Sequence, residues 1–198
     1  MIISVSLLFR SITLVIFFIW WLYWAISKRT AEQEKPPAKL ERTKYVEGQI
    51  RRFVLKAAQL LMVLQVVGIT LFPLPFPQFI VQGVGFIFVI IGASIAISAR
   101  KTLGTNWANA YEYQVKKKQE LVTNGIYSLI RHPIYSGLCL GLIGGELIAQ
   151  SYLVVIGFVL LVGGYLQARQ EETILEKHFG SEYRSYMKRT KMFIPFLW

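Results

Sequence analysis

Long apolar blocks separated by short polar connections dominate this chain. Three of the blocks, residues 2–26, 53–72 and 79–99, are long enough to cross a bilayer, which takes about 20 predominantly apolar residues in a helix. Two shorter blocks, 134–149 and 152–166, are joined by two polar residues and fit a tight helical hairpin. The pattern predicts an all-α integral membrane protein with about five transmembrane helices, the hairpin included, followed by a polar, helical C-terminal region.

Composition and charge agree with a membrane protein. Hydrophobic residues make up 54% of the chain and charged residues 17%, whereas about a quarter of a soluble domain is charged. The net charge of +11 would also suit a nucleic-acid-binding protein. However, most Lys and Arg residues lie in short connections between apolar blocks, as in cytoplasmic loops. We therefore expect membrane lipids and no nucleic acid as partners, an outside N-terminus and a cytoplasmic active face.

The connections between the blocks carry further structural signals. A Pro-Pro pair excludes a continuous helix through residues 28–52. The turn at residues 72–77 is rich in proline and carries no charge, so it should lie across the membrane from the charged connections. Alternation of polar and apolar side chains over residues 111–116 predicts a short extended segment.

A polar island at residues 121–137 contains one of only two histidines in the chain. Pro133 suits the first turn of the helix that follows, and it pushes His132 toward an extended conformation. We therefore expect the His132 ring to be displayed at the helix entrance, where free N–H groups favour a carboxylate or phosphate. The alternative, that Arg131 and His132 only mark the membrane boundary, stays open on these residues alone.

A second polar cluster follows the hairpin directly. Arg169 and Glu172 are three residues apart and Glu172 and Glu176 are four apart, so each pair shares a helix face. A solvated helix with ordinary ion pairs is the alternative interpretation. The hairpin, however, returns the chain to the side of His132, so we expect the two polar clusters to face each other. Gly180 should end this helix.

Two features lie within the hairpin. Small residues recur at helical spacing and should let its two arms approach closely; they are Gly137, Gly141 and Gly145 in the first arm and Gly157, Gly163 and Gly164 in the second. Glu146 lies at membrane depth, where an ionisable residue is a functional candidate. A hydrogen-bonded structural role near the hairpin tip is the other interpretation, and both stay open.

Metal and nucleotide motifs are absent from the sequence. The single Cys139 provides neither a disulfide framework nor a zinc site, and we read it as a small packing residue. The two histidines are isolated from each other, and no phosphate-binding loop or dinucleotide fingerprint occurs. We expect no metal.

Two motifs occur in order, separated by the hairpin. The first is Leu121-Val122-x-x-Gly125-x-Tyr127-x-x-x-Arg131-His132-Pro133-x-Tyr135-x-Gly137, and the second is Glu171-Glu172-x-x-Leu175-x-x-x-Phe179-Gly180-x-x-Tyr183-x-x-Tyr186. With Leu103-Gly104-x-x-Trp107 and Thr190-x-x-x-Ile194-Pro195, they closely resemble the isoprenylcysteine carboxyl methyltransferase family, which belongs with the membrane phospholipid methyltransferases. The likeness divides the chain into N-terminal membrane helices with a basic loop (1–78) and a membrane-embedded methyltransferase core (79–198).

The resemblance implies the cofactor S-adenosylmethionine, in a pocket that the cytosolic C-terminal helical region completes. By analogy, the pocket would be lined by Leu121, Val122, Gly125, Tyr127, His132, Pro133, Tyr135 and Glu171 or Glu172. Arg169 would orient an acceptor carboxylate, Glu172 would hold Arg169 or act near the acceptor, and Trp107 would line the lipid entrance. The implied acceptor is lipid-like, such as a C-terminal prenylcysteine.

Three other functions remain open. An amine acceptor such as a phosphatidylethanolamine headgroup must lose a proton, so Glu172 or His132 would have to act as a general base. A membrane reductase of the sterol-reductase type would bind a nicotinamide cofactor instead. A non-enzymatic membrane scaffold would use both motifs only for packing and boundary marking.

Overall fold

The computed structural model describes residues 2–31, 42–106 and 120–197. Within these ranges the chain forms six α-helices, α1 (Ile2–Ala31), α2 (Arg42–Val67), α3 (Gln78–Leu103), α4 (Pro133–Ile148), α5 (Val154–Phe179) and α6 (Ser181–Arg189). Short 3-10 turns occupy Gly104–Asn106 and Gly125–Ser128. Because none of the described residues forms a β-strand, the all-α prediction is confirmed for this part of the chain.

Two helices are long and apolar enough to cross a membrane. The spans are Val5–Ser27, with a mean hydropathy of 2.0, and Gln78–Asn106, with a mean hydropathy of 2.4. Only 17% and 33% of their most apolar stretches is buried, so they are not core helices of a soluble domain and are suited to face lipid. The prediction of about five transmembrane helices remains a prediction, because α4 is a shorter apolar helix.

Two helices extend well beyond the apolar blocks of the sequence. Helix α2 begins at Arg42 rather than at residue 53, and α5 continues unbroken from the hairpin tip to Phe179. In both cases the helix extends through polar residues such as Gln, Glu and Arg, which are good helix formers. An apolar block therefore marks the segment that can lie in lipid and not the ends of the helix. The Pro-Pro pair and residues 111–116 lie outside the described residues.

The two ends of the helical bundle have different characters, as predicted. At one end the proline-rich turn contacts the hairpin tip, where the Leu74 amide donates to the Gln150 carbonyl oxygen at 2.7 Å and the Tyr152 amide to that of Phe72 at 2.9 Å. At the other end, the Arg100 guanidinium donates to the Ser27 carbonyl oxygen at 2.7 Å. The charged ends of α1 and α3 therefore lie together, away from the uncharged turn.

Helices α3 and α4 pack antiparallel with their backbones in close approach. A Cβ atom added to Gly92 would lie 2.6 Å from the Gly137 carbonyl oxygen, and one added to Gly144 would lie 2.6 Å from the Gly85 carbonyl oxygen. Both distances are too short for any side chain. The absence of side chains at these glycines therefore fixes α4 against α3.

The prediction that these glycines bring the two hairpin arms together is wrong for all three in α4. Gly137 faces α3, Gly141 faces Trp20 and Gly145 faces Met62. In α5 only Gly157 approaches α4, at Ile143, whereas a Cβ on either of the two later α5 glycines would meet nothing within 4 Å. The four-residue spacing identifies a face that can be approached closely, but it does not identify the approaching helix.

Glu146 belongs to a buried hydrogen-bond network at the hairpin end. Gln65 Nε2 donates to Glu146 Oε2 at 2.7 Å, and Gln65 Oε1 accepts from the Leu71 amide at 3.1 Å. Arg10 Nη1 donates to the Gln65 carbonyl oxygen at 3.1 Å, near the end of α2. Backbone groups at membrane depth need internal partners, so this network provides them where α2 ends. The structural interpretation of Glu146 is the one that these contacts favour.

Replacing Glu146 by Ala should lower the free energy of unfolding by about 1–3 kcal/mol, because Gln65 Nε2 loses its buried acceptor. Cofactor affinity should stay unchanged, since the network lies at the opposite end of the bundle from the polar motifs. Glu146→Gln, which keeps an acceptor oxygen, is the control and should be close to wild type. Thermal unfolding in detergent together with a cofactor titration measures both quantities. Loss of cofactor binding in a stable Glu146→Gln protein would instead indicate a functional role.

Candidate functional site

The N-terminus of α4 places His132 beside α5. Pro133 occupies the first turn, and His132 precedes it with φ −123° and ψ 55°, so its φ, but not its ψ, is the extended one that a following proline favours. The expectation that its ring is displayed at the helix entrance is wrong, since His132 is only 6% exposed. Helix α5 packs alongside and covers the ring with two carboxylates.

The two polar clusters face each other, as predicted. Arg131 Nε donates to Glu172 Oε1 at 2.5 Å, and His132 Nε2 lies 3.3 Å from the same oxygen. His132 Nδ1 lies 3.7 Å from Glu171 Oε2. Arg131 and His132 therefore do more than mark a membrane boundary, and the acidic pair is not simply a solvated helix face.

Glu171 accepts hydrogen bonds from two further side chains. The Tyr135 hydroxyl donates to Glu171 Oε1 at 2.5 Å, and Gln167 Nε2 donates to the same oxygen at 3.4 Å. Gln167 was not among the predicted site residues, although its position four residues before Glu171 on one helix is a usable signal. Glu171 remains partly exposed and can accept further donors.

The two carboxyls have opposite pKa shifts, and both lie past the apolar part of α5. Burial acts to raise the pKa of each. For Glu172, the hydrogen bond from Arg131 and the nearby His132 outweigh burial, and the pKa is lowered. For Glu171, burial outweighs the charge of His132 and the hydrogen bonds of Tyr135 and Gln167, and the pKa is raised. Glu172 is therefore a firmly ionised, weakly basic anion, and Glu171 is the more basic of the pair.

A C-terminal segment, residues 190–193, binds to the start of α4 through its backbone. The amides of Arg131 and His132 donate to the carbonyl oxygens of Lys191 at 2.9 Å and Met192 at 3.0 Å. Arg131 Nη1 donates to the Thr190 carbonyl oxygen at 2.6 Å, and Ser136 Oγ donates to that of Phe193 at 2.8 Å. Arg131 thus joins Glu172 to the C-terminal segment. This pairing was not predicted from the sequence.

Three buried tyrosines surround the site, Tyr183 and Tyr186 from α6 and Tyr127 from the 3-10 turn before α4. Tyr183 and Tyr186 point inward, and the Tyr186 hydroxyl donates to the Tyr127 carbonyl oxygen at 2.7 Å. Burial raises the pKa of all three phenols, so they remain neutral donors. Among the described residues, the Tyr183 hydroxyl has no hydrogen-bond partner although it is buried.

The expected pairing of Glu172 with Arg169 is wrong. Arg169 is exposed on α5, and Glu172 Oε1 is bound by Arg131 and lies beside His132. The spacing along α5 favoured Arg169 as the partner of Glu172. In the fold the partner is the buried Arg131, which lies just before the start of α4. Glu176, four residues further along the helix, forms an exposed ion pair with Arg184 at 3.5 Å.

The other predicted site residues that the structure describes lie in the chain before α4 and at its start. Leu121 and Val122 are partly buried in irregular chain before Gly125, whose φ of +56° requires the left-handed region that glycine tolerates. Pro133 is buried in the first turn of α4. Trp107 lies outside the described residues.

The side chains fit a ligand that combines an aromatic ring with cationic and hydroxyl groups. Glu171 offers a carboxylate, tyrosine faces attract cations, and the buried hydroxyl of Tyr183 lacks a partner that a polar ligand could supply. His132 Nε2 makes no aligned hydrogen bond despite its proximity to Glu172. In the described ranges, no group of His, Cys, Asp and Glu could hold a metal ion. S-adenosylmethionine has the required groups.

Replacing Tyr135 by Phe should weaken cofactor binding about fivefold to tenfold, because Glu171 loses a charge-assisted hydrogen bond that orients it. The phenyl ring keeps its contacts, so the free energy of unfolding should change by less than about 1 kcal/mol. Calorimetric titration and thermal unfolding measure the two effects. Tyr152→Phe, at the hairpin end, is the matched control. Equal cofactor affinity in both variants would contradict the orienting role.

The chain is similar to known membrane methyltransferases. The family model described as phospholipid methyltransferase matches residues 80–182. A probable protein-S-isoprenylcysteine O-methyltransferase of Oryza sativa is 31% identical over 129 residues, which cover 64% of this chain and 68% of the rice protein. The protein-S-isoprenylcysteine O-methyltransferase of Homo sapiens is 30% identical over 115 residues, 57% of this chain and 40% of the human protein.

A solved structure shares the fold. It is that of a eukaryotic intramembrane Ras methyltransferase, an isoprenylcysteine carboxyl methyltransferase, with a TM-score of 0.52 and 20% sequence identity. The match covers 81% of this chain and 55% of that protein. At this identity the likeness concerns the arrangement of helices, and that arrangement agrees with an integral membrane fold.

Proposed function

The chain belongs to the isoprenylcysteine carboxyl methyltransferase family of phospholipid methyltransferases, and we propose that it methylates the carboxylate of a lipid-like acceptor such as a C-terminal prenylcysteine. The observation that carries this proposal is the buried cluster in which His132 lies against both Glu171 and Glu172. This cluster joins the two motifs of the sequence at one end of an apolar helical bundle. Relatives of this chain are named protein-S-isoprenylcysteine O-methyltransferases.

Residues around Glu171 would hold the cofactor. S-adenosylmethionine supplies a methyl group activated by a sulfonium cation. The Glu171 carboxylate would accept from the cofactor's amino or ribose hydroxyl groups, since it is partly exposed and already oriented by Tyr135 and Gln167. The rings of Tyr135 and Tyr127 would contact the cationic or aromatic parts. His132 would contribute a polar edge, and Pro133 would keep the backbone rigid beside it.

A carboxylate acceptor suits this site because it is already ionised at neutral pH and needs no general base. The chain has to align the acceptor and exclude water. Glu172, whose pKa is lowered by His132 and Arg131, is a weak base and serves to hold those two residues in place. Arg169, exposed on the preceding turn of α5, is the proposed contact for the acceptor carboxylate, and Trp107 the proposed wall of the lipid entrance.

An amine acceptor is the second candidate, because the matching family model is named for phospholipid methyltransferases. An amine must lose a proton before or during transfer, so a base would be required. Glu171, whose pKa burial raises, is better suited to that task than Glu172. The product distinguishes the two functions, since a methyl ester is cleaved by mild base and an N-methyl group is not.

We place the site on the cytoplasmic face of the membrane. The end of the bundle that carries His132 also carries exposed Lys101, Lys188 and Arg189, whereas the turn at the other end has no charge. Positive charge favours the cytoplasmic side. Accessibility of single cysteines introduced at Lys101 and Phe76 to an impermeant reagent, in inside-out and right-side-out vesicles, tests this orientation.

Calorimetric titration of the detergent-purified protein with S-adenosylhomocysteine tests the cofactor site. We expect saturable binding of one ligand per chain, and a His132→Ala variant should bind at least about tenfold more weakly, since a buried polar contact is lost. His178→Ala is the matched control, because His178 is the other histidine and is exposed on α5. No binding to well-folded wild-type protein would overturn the proposal.

A further inference from the structure

Three solvent-exposed cationic side chains lie close together in the chain, beside the site. Helix α6 buries Tyr183 and Tyr186 and exposes Lys188 and Arg189, and the exposed Lys191 follows. Among the described residues, no carboxylate lies within ion-pair distance of these three side chains. The cationic surface is thus not neutralised by this part of the protein itself.

Exposed apolar side chains follow the cations directly. Ile194 is 46% exposed, Phe196 86% and Leu197 78%, while Phe193, next to them, is buried. The chain therefore docks up to Phe193 and then presents apolar groups outward. Cations beside exposed aromatic and aliphatic groups are typical of segments that lie in a lipid interface.

We propose that residues 188–197, the C-terminal surface, dock on an anionic lipid bilayer and that this docking orders the cofactor site. Charge complementarity selects the occupant, because cytoplasmic leaflets carry anionic headgroups that attract clustered Lys and Arg. The apolar side chains enter the headgroup boundary while the cations bind lipid phosphates. This surface lies beside the start of α4, which packs on α3, and α3 is one of the two helices suited to span a bilayer.

The C-terminal segment connects this surface to the site. Its residues 190–193 lie within the C-terminal surface and receive hydrogen bonds from the amides of Arg131 and His132. Arg131 in turn donates to Glu172 and to the Thr190 carbonyl oxygen. When Lys191 binds the bilayer, the backbone of residues 190–193 is held in place. The hydrogen bonds from the Arg131 and His132 amides then hold the backbone of His132 as well. Anionic lipid therefore stabilises the arrangement of His132, Glu171 and Glu172.

Amide hydrogen exchange in nanodiscs tests the docking without any ligand. In discs that contain phosphatidylglycerol, amides of residues 129–136 and 190–193 should exchange about fivefold more slowly than in phosphatidylcholine discs, since one cation near an anionic surface is worth about that factor. High salt should remove the difference, because it screens exposed charges. Equal exchange in both kinds of disc would overturn the proposal.

Matched charge variants locate the effect. Neutralising the C-terminal surface by Lys188→Gln, Arg189→Gln and Lys191→Gln should abolish the dependence on lipid charge, and Phe196→Ser with Leu197→Ser should weaken it. A control that neutralises three other exposed lysines, Lys56, Lys101 and Lys177, removes the same charge and should retain it. Loss of the effect in the control as well would show that net charge, and not this surface, is responsible.

The consequence for catalysis rests on the proposed function, whereas the docking does not. S-adenosylhomocysteine should bind about fivefold more tightly in anionic discs than in phosphatidylcholine discs. This factor is at the lower end of the usual coupling between two binding events. Exchange that depends on lipid charge, without any ligand binding, would contradict the proposed function and uphold the docking. Binding of S-adenosylhomocysteine together with amide exchange that does not depend on lipid charge would uphold the proposed function and contradict the docking.

Discussion

Replacing Glu172 by Ala should abolish cofactor binding and lower the free energy of unfolding by about 3–5 kcal/mol. Glu172 is the partner of Arg131, and the two side chains are only 6% and 10% exposed. Without the carboxylate, Arg131 is left as an uncompensated buried charge. Its hydrogen bond to the Thr190 carbonyl oxygen would remain, but a neutral carbonyl does not compensate the charge. Thermal unfolding and titration with S-adenosylhomocysteine measure the two effects.

Two variants separate charge from packing at this position. Glu172→Gln keeps the volume and an oxygen that can accept from Arg131, so it should retain most of the stability while binding cofactor weakly. Glu176→Ala removes an exposed pair with Arg184 and should change stability by less than about 1 kcal/mol. Wild-type stability in Glu172→Ala would show that the buried pair does not organise the site.

Replacing Gly92 by Leu should prevent stable folding, at a cost of about 3 kcal/mol or more from overpacking. A Cβ at this position would lie 2.6 Å from the Gly137 carbonyl oxygen and 2.7 Å from the Gly141 amide nitrogen. Backbone atoms cannot move aside as the end of a flexible side chain can, so α3 and α4 must separate. Because α4 carries His132 at its start, any folded fraction should also bind cofactor weakly.

Gly83→Leu is the matched control, since it lies on the same helix and a Cβ there meets nothing within 4 Å. This variant should be as stable as wild type or more stable, because a helix-interior glycine costs about 0.5–1 kcal/mol relative to alanine. Unfolding in detergent and the yield of monodisperse protein compare the two. Similar stability of both variants would contradict the close packing of α3 on α4.

The fold was predictable wherever one helix face or one apolar block carries the signal. Residues 79–99 lie within α3, and Gly180 ends α5 with φ +58°, because apolar length and helix-end glycine are local properties. The meeting of His132 with Glu171 and Glu172 was also predictable, since a short hairpin returns the chain to the side it left. Local sequence patterns, together with the chain reversal at the hairpin, were therefore enough to predict which segments form the site.

The partners within the site were less predictable because they depend on tertiary packing. The sequence spacing favoured Arg169 as the partner of Glu172. The buried partner is instead Arg131, whose guanidinium donates hydrogen bonds to both Glu172 and the Thr190 carbonyl oxygen. The C-terminal segment pairs through backbone atoms, which leave no trace in residue type. The α4 glycines approach three different helices, α3 at Gly137, α1 at Gly141 and α2 at Gly145, because small residues mark a face that can be approached closely without identifying its partner.

The most direct test of the proposed function is transfer of labelled methyl from S-adenosylmethionine by the protein in nanodiscs. N-acetyl-S-farnesylcysteine and phosphatidylethanolamine serve as competing acceptors. We expect the label in the prenylcysteine, and treatment with mild base should release it as methanol because the product is an ester. Base-stable label in the phospholipid, or no transfer to the prenylcysteine by a protein that binds S-adenosylhomocysteine, would contradict carboxylate methylation of a prenylcysteine.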